Sequence, residues 1–305
     1  FRGKAGVAHL NFRVINDPQV AFLAYQRGEV DIVEISPDQL PSVKGPLQQQ
    51  LVRALDGCSF YLGFNMTKPP FNNLKVRQAF AYALNRDQYI KQINAGVGKP
   101  SGQFLLPEVP GYTNKNSQTY DPAKAKQLLA EAGYPNGQGF PAQKFNYDVS
   151  GGATTKKRAL FYQQNFKQVL NVDIQPNPVD PNTYQDQLNI KSKNPPIFRL
   201  GWCQDYPHPQ DWYTLVFANN SPLSPAGWND PKFNELTDKA DQLPLAQAIP
   251  LYQQANQILL DKVPVAYTFY GEVLALFKPN VKGVQHHLGD VEGWYYESNS
   301  IYKTK

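Results

Sequence analysis

The string RLGWCQDYPHPQDW at 199–212 puts a cation (Arg199), a carboxylate (Asp205) and two indole rings (Trp202, Trp212) within one short stretch. Such a set can hold a ligand that carries charge and also offers a face for stacking. Residues 197–203 are apolar enough for a short buried strand. Asp205-Tyr-Pro-His-Pro then forces a turn, because each proline biases the residue before it away from the helix. The charged groups therefore belong at and just past a strand end. Taken alone, Arg199 and Asp205 are equally consistent with a surface ion pair.

Catalytic chemistry finds less support. Ser150 lies in Asp-Val-Ser-Gly-Gly, which lacks the leading glycine of a nucleophile elbow. There is no Walker A motif, and Gly96, Gly98 and Gly102 miss the dinucleotide-binding spacing. The histidines are His9, His208, His286 and His287, and the adjacent pair cannot face one metal from a regular helix or strand. No metal site or cofactor is expected. No spacing singles out a carboxylate pair for glycoside hydrolysis. Trp202, Trp212, Trp228 and Trp294 could stack on a sugar, although such rings more often lie partly buried in a core.

The elements that must position these groups alternate. Residues 9–15 read as a strand, 18–26 as a helix stopped by Gly28, and 30–35 as a second strand, a β-α-β unit for which parallel pairing is expected. Residues 41–50 are a polar connection and 59–65 a strand. Asn72 or Asn73 caps a helix whose apolar residues Val76, Ala79, Phe80, Ala83 and Leu84 form one stripe. Asp121 caps the next helix, with Pro122 at its first position and Gly133 past its end. A helix over 155–170 leads to a strand at 172–175. Another over 250–261 leads to strands at 265–270 and 272–277. Helices alternating with strands indicate an α/β fold.

With 305 residues, the chain is long enough for two lobes. Its net charge of +5 is scattered, and the one cluster, Lys156-Lys157-Arg158, reads as a solvated face, so nucleic-acid binding is not indicated. No run of eighteen apolar residues exists, and the chain opens at Phe1 without Met or a signal-like segment. The two cysteines, Cys58 and Cys203, would bridge in an oxidising compartment or remain as two buried thiols.

Five ordered blocks share a resemblance. These are KPPFNNLKVRQAFAYALNRDQ at 68–88, YDPAKAKQLLAEAGY at 120–134, the 199–212 string, WNDPKFNEL at 228–236 and LYQQANQILLDKVPVAY at 251–267. Together they are similar to the family-5 extracytoplasmic solute-binding proteins of peptide-type ABC transporters. The resemblance implies a periplasmic-binding-protein-like fold of the class II type, with ligand enclosed between two discontinuous lobes. Carried onto this chain, 1–58 is partial lobe I, 59–272 is a complete lobe II and 273–305 is the return segment. The opening block resembles an internal segment of family members, so an upstream portion is expected to be missing.

The implied function is a non-enzymatic binding subunit that delivers short peptides to permease subunits. It would be a monomer outside the cytoplasm, with any lipid anchor in the upstream part. In this reading Asp205 takes the peptide ammonium, the main chain of Gly201 and Cys203 pairs with the ligand as an added strand, Arg199 meets the carboxylate, and Trp202 and Tyr206 form walls. The family also supports a disulfide at the cysteine after the pocket tryptophan, although Cys58 stands a few residues before the expected partner. An oligosaccharide ligand, or a hydrolase on the same scaffold, is the alternative.

Overall fold

Asp-Pro dipeptides open four of the helices in the computed structural model, which describes residues 7–115, 118–150, 152–219, 221–283 and 302–304. In each, the aspartate accepts hydrogen bonds from free backbone N–H groups of the first turn, and proline takes a position whose N–H has no partner anyway. The first is α1 (Pro18–Gln26), where Asp17 accepts from Gln19 and Val20. Strand β1 (Ile32–Glu34) follows, then two short 3-10 turns and the long β2 (Leu51–Phe64). Next come α2 (Leu74–Ala83, capped by Asn73), α3 (Arg86–Ile93), β3 (Lys99–Pro100) and α4 (Pro122–Glu131).

The central part runs β4 (Gln143–Asp148), α5 (Gly152–Leu170), β5 (Ile174–Val179), α6 (Pro181–Asn189) and β6 (Ile197–Cys203). It is followed by α7 (Pro209–Phe217), α8 (Pro231–Ala240), α9 (Leu245–Lys262) and β7 (Val265–Phe277). The short β8 (Val281–Lys282) and β9 (Tyr302–Lys303) form a ribbon of their own. The main sheet has the order β1-β7-β2-β6-β4-β5, with β3 added to β7. Strands β4 and β5, and β4 and β6, pair in parallel, and the other pairs are antiparallel.

The long strands β2 and β7 tie the molecule together. Their period-two alternation sends Leu62 and Phe64 into a core built with α2, α4 and α5, and Tyr61 into a second core with α7, α8 and α9 on the opposite face. Their other ends join α1 and β1 around a third, smaller core that holds Phe22, Tyr25 and Leu276. Two irregularities lie between. Residues 56–58 of β2 stand against Gly271 alone, and Thr268 of β7 is an extra residue opposite the step from Phe60 to Tyr61. A Cβ on Gly271 would come within 2.1 Å of the Asp56 carboxylate, so only glycine lets that side chain lie against β7.

Several expectations need correction. Residues 9–15 form no strand and lie mostly exposed, with Phe12 and Val14 74% and 88% accessible. Residues 9–13 share a cleft with β1, β8 and β9 but pair with none of them. The expected parallel β-α-β unit is also absent: β1 pairs antiparallel with β7. The two strands expected at 265–277 are one strand, since Gly271 marks a close approach and not a break. Strand β2 begins eight residues before the expected start at 59, which places Cys58 inside it. His286, His287, Trp294 and most of 273–305 lie outside the described residues.

The outer edge of the sheet is β5, and its prolines are placed asymmetrically. The carbonyls of Asp173 and Val179 accept from Gln143 and Val149 on the β4 side, so odd-numbered residues turn their main chain inward. Pro176 and Pro178, which lack an N–H, then face outward.

Candidate functional site

Strand β6 carries most of the 199–212 string and is only half covered. Its β2 side is paired along its whole length, from Ile197↔Phe64 to Cys203↔Cys58. Its β4 side is paired only at Ile197↔Phe145. Beyond that point the Tyr184 hydroxyl donates to the Arg199 carbonyl at 2.7 Å and accepts from the Arg199 N–H at 3.1 Å. The main chain of Arg199 therefore faces away from β2, and a period of two turns Gly201 and Cys203 the same way. Among the described residues, no strand pairs with that edge at Gly201 and Cys203.

At the N-terminal end of this edge, Arg199 and Arg158 of α5 line a small cleft with Asp148, Thr155 and Tyr184. The Arg199 guanidinium lies 4.5 Å over the Phe60 ring, and the Nε atoms of Arg199 and Arg158 have no hydrogen-bond partner among the described residues. Tyr184 is buried, and burial pushes its hydroxyl up to about 12, so it stays a neutral donor. The sequence presents Arg158 only as part of a solvated basic run, yet helix α5 brings it into the same cleft as Arg199. Its spacing carried no signal for that.

At the other end, Asp205 and Tyr206 lie exposed on the turn between β6 and α7. Trp202 is half-buried, and its indole N–H donates to Asp211 Oδ2 at 3.0 Å. The same oxygen accepts from the Asp205 amide at 3.2 Å. Pro209 starts α7, and the His208 side chain caps it by accepting from the Gln210 N–H at 3.1 Å. Asp211 is fully buried in the first turn of that helix. Burial, with the Asp205 charge adding to it against these hydrogen bonds, raises its carboxyl from 3.8 to about 6.

Gly201 meets the Phe60 ring so closely that a Cβ would fall 2.3 Å from it, and Phe60 in turn stacks on Phe269 at 4.7 Å. A disulfide joins Cys58 to Cys203 with their Cα atoms 4.0 Å apart. Trp212 and Trp228 are 0% and 5% exposed, which removes both from sugar stacking.

The family model for bacterial extracellular solute-binding proteins, family 5 (its middle region), matches residues 1–223. The chain belongs to this family. Among family-5 relatives, it is 25% identical over 296 residues to the oligopeptide-binding protein OppA of Bacillus subtilis, covering 93% of this chain and 53% of that protein. To the dipeptide-binding protein of Escherichia coli it is 24% identical over 300 residues, covering 94% and 56%. The chain thus spans about half the length of the curated relatives it matches.

Solved family-5 structures share the fold, including a periplasmic oligopeptide-binding protein from Borrelia burgdorferi (TM-score 0.75, 25% identity, 96% of this chain and 58% of that one). HbpA2 from Haemophilus parasuis superposes with a TM-score of 0.84 at 23% identity, covering 100% and 60%. These are two-lobed class II periplasmic-binding-protein folds. The family comprises binding proteins of ABC transporters that work outside the cytoplasm. No helix among the described residues is long and apolar enough to cross a membrane.

The family signature at 68–88 is scaffolding here. Arg86 is buried and donates from Nε to the carbonyls of Ser101 and Tyr267, both at 2.8 Å, and burial lowers its guanidinium to about 9. Arg77, also buried, donates to the carbonyls of Phe71 and Lys262 at 2.8 Å and of Val263 at 3.0 Å.

Proposed function

We propose that the chain is the substrate-binding part of an ABC importer subunit that captures short peptides and hands them to permease subunits. The observation that carries this reading is the open edge of β6, flanked by the Asp205 carboxylate at one end and, at the other, by two guanidinium groups beside a single carboxylate, Asp148. A peptide needs this arrangement. Its backbone pairs with the main chain of Gly201 and Cys203, its ammonium meets Asp205, and its carboxylate meets Arg199 and Arg158. The ligand then runs antiparallel to β6. From Arg199 to Cys203 the strand covers about 13 Å, which suits peptides of about three or four residues. Trp202 and Tyr206 form the walls, and backbone pairing supplies affinity without reading side chains.

In this reading residues 1–58 and 273–305 belong to lobe I and 59–272 to lobe II, with the second wall of the cleft in an upstream part. The protein is a monomer outside the cytoplasm, lipid-anchored through that upstream part, and has no catalytic role. OppA and the dipeptide-binding protein carry peptide ligands in their names, which supports the ligand class. The burial of Trp212 and Trp228 weighs against an oligosaccharide.

Calorimetry on a protein of the relatives' full length tests it. Asp205→Asn should weaken free-amino tripeptides by roughly 2 to 4 kcal/mol, because the buried ammonium loses its partner charge. N-acetylated peptides should lose little. Equal affinities for parent and variant would end the ammonium assignment.

A further inference from the structure

At the Asp205 end of the site, Asp211 is a buried charge that the proposed binding scheme does not use. Its carboxylate is fully buried, and Oδ2 serves two donors on different parts of the site, the Trp202 indole on β6 and the Asp205 amide on the turn. Its Oδ1 is buried with no hydrogen-bond partner among the described residues. A buried charge with one unserved oxygen is an expensive way to anchor a turn, since a neutral acceptor would do the same with less desolvation.

We propose that Asp211 is the positioning residue of the ammonium end: it fixes Trp202 and the turn bearing Asp205 in one geometry and sets a second negative charge behind Asp205, at a cost to the stability of the free protein. The inference rests on the reading of Asp205 as the ammonium site.

The ionisable groups that bear on Asp211 are Asp205 and, more weakly, Tyr206, both on the turn before α7; His208 at the cap of α7 feels Asp241 instead. Asp205 makes the charged form of Asp211 less favourable, and an ammonium bound at Asp205 has the opposite effect. Ligand binding should therefore release the Asp211 proton, and affinity should rise with pH through about 6. Stability has the opposite sign. A carboxyl raised in the folded state contributes fully below its ordinary value of 3.8, and that contribution is lost as pH rises through about 6. Function and stability thus pull the same residue in opposite directions.

The variant is Asp211→Asn, which keeps the acceptor and removes the charge. In the 305-residue chain it should melt higher than the parent at pH 7.5 and equally at pH 3.5. The Trp202 indole resonance, identified by its loss in Trp202→Phe, should shift with a midpoint near pH 6 in the parent and stay still in Asp211→Asn. In the full-length protein the variant should bind a free-amino tripeptide about tenfold more weakly at pH 7.5, with a flat profile between pH 5 and 7.5 where the parent rises.

A lower melting temperature at pH 7.5, or an indole that does not titrate in the parent, overturns the proposal. So does unchanged affinity in Asp211→Asn when Asp205→Asn has lost binding. If Asp205→Asn itself keeps full affinity, the ammonium reading fails and takes the ligand part of this proposal with it. A titrating indole then identifies the reading of Asp205 as the fault.

Discussion

Gly201 shows how tightly the site is specified at single residues. It stands opposite Phe60 in the β2–β6 register, and the Phe60 ring occupies the space where a side chain would begin. That ring is held by Phe269 on one side and carries the Arg199 guanidinium on the other. Gly201→Ala therefore cannot be absorbed by Phe60 alone. The ring must move, and Arg199 with it. We expect a loss of roughly 1 to 3 kcal/mol in stability, typical of overpacking, together with weakened peptide binding. Thermal melts and calorimetry check both, and an alanine variant that binds and melts like the parent would show that the strand can shift freely. The 199–212 string reads as a candidate site because it concentrates rare residue types. Arg158 and Tyr184 do not, since only the packing of α5 and α6 beside β6 brings them to Arg199.

At the scale of elements, strand β6 and the helices with complete caps and apolar stripes were largely legible. Asp121-Pro122 and Asn73 start α4 and α2 where their chemistry says they should. The same Asp-Pro signal stands at α6 and α8, and α8 also carries an apolar stripe of Phe233, Leu236 and Ala240, so both signals lie in the sequence although neither helix is among the expected elements. Long-range pairing was the harder part. Nothing local in 9–15 tells whether a partner strand exists, and nothing local at Cys58 reveals that the unbroken β2–β6 register places it opposite Cys203.

That cross-link closes a long loop, with a sequence separation of 145, and the chain-entropy model assigns such a bridge up to about 5 kcal/mol. Reduction should lower the melting temperature by several degrees. Mass spectrometry of the non-reduced, alkylated protein should show a linked peptide pair. Two freely alkylated thiols in the native, air-exposed protein would refute the bridge.

For the molecule as a whole, the three cores have different standing. The two large ones on either face of the sheet are built from capped helices and buried strands and should unfold together. The small one around α1 and β1 depends on the far ends of β2 and β7. If the second wall of the cleft is supplied by residues beyond this chain, the ligand is desolvated on one side only. The 305-residue chain should then be a stable protein with negligible peptide affinity, and a protein of the relatives' length should bind at micromolar or tighter. Titrating both with one peptide pool decides it, and micromolar binding by this chain alone means that the cleft is misplaced.

The prolines of β5 bear on how such a sheet can welcome one extended guest and refuse others. A sheet that recruits a peptide by its backbone also invites the strands of its neighbours, because both offer the same ladder of donors and acceptors. Here the outermost edge is blunted where Pro176 and Pro178 lack outward N–H groups, while β6 lies further in, next to β4 in the strand order. The strand blunted against self-association is thus a different one from the strand proposed to bind. Restoring the outward donors with Pro176→Thr and Pro178→Thr would reopen that outer edge, and its cost would emerge as clumping at high concentration.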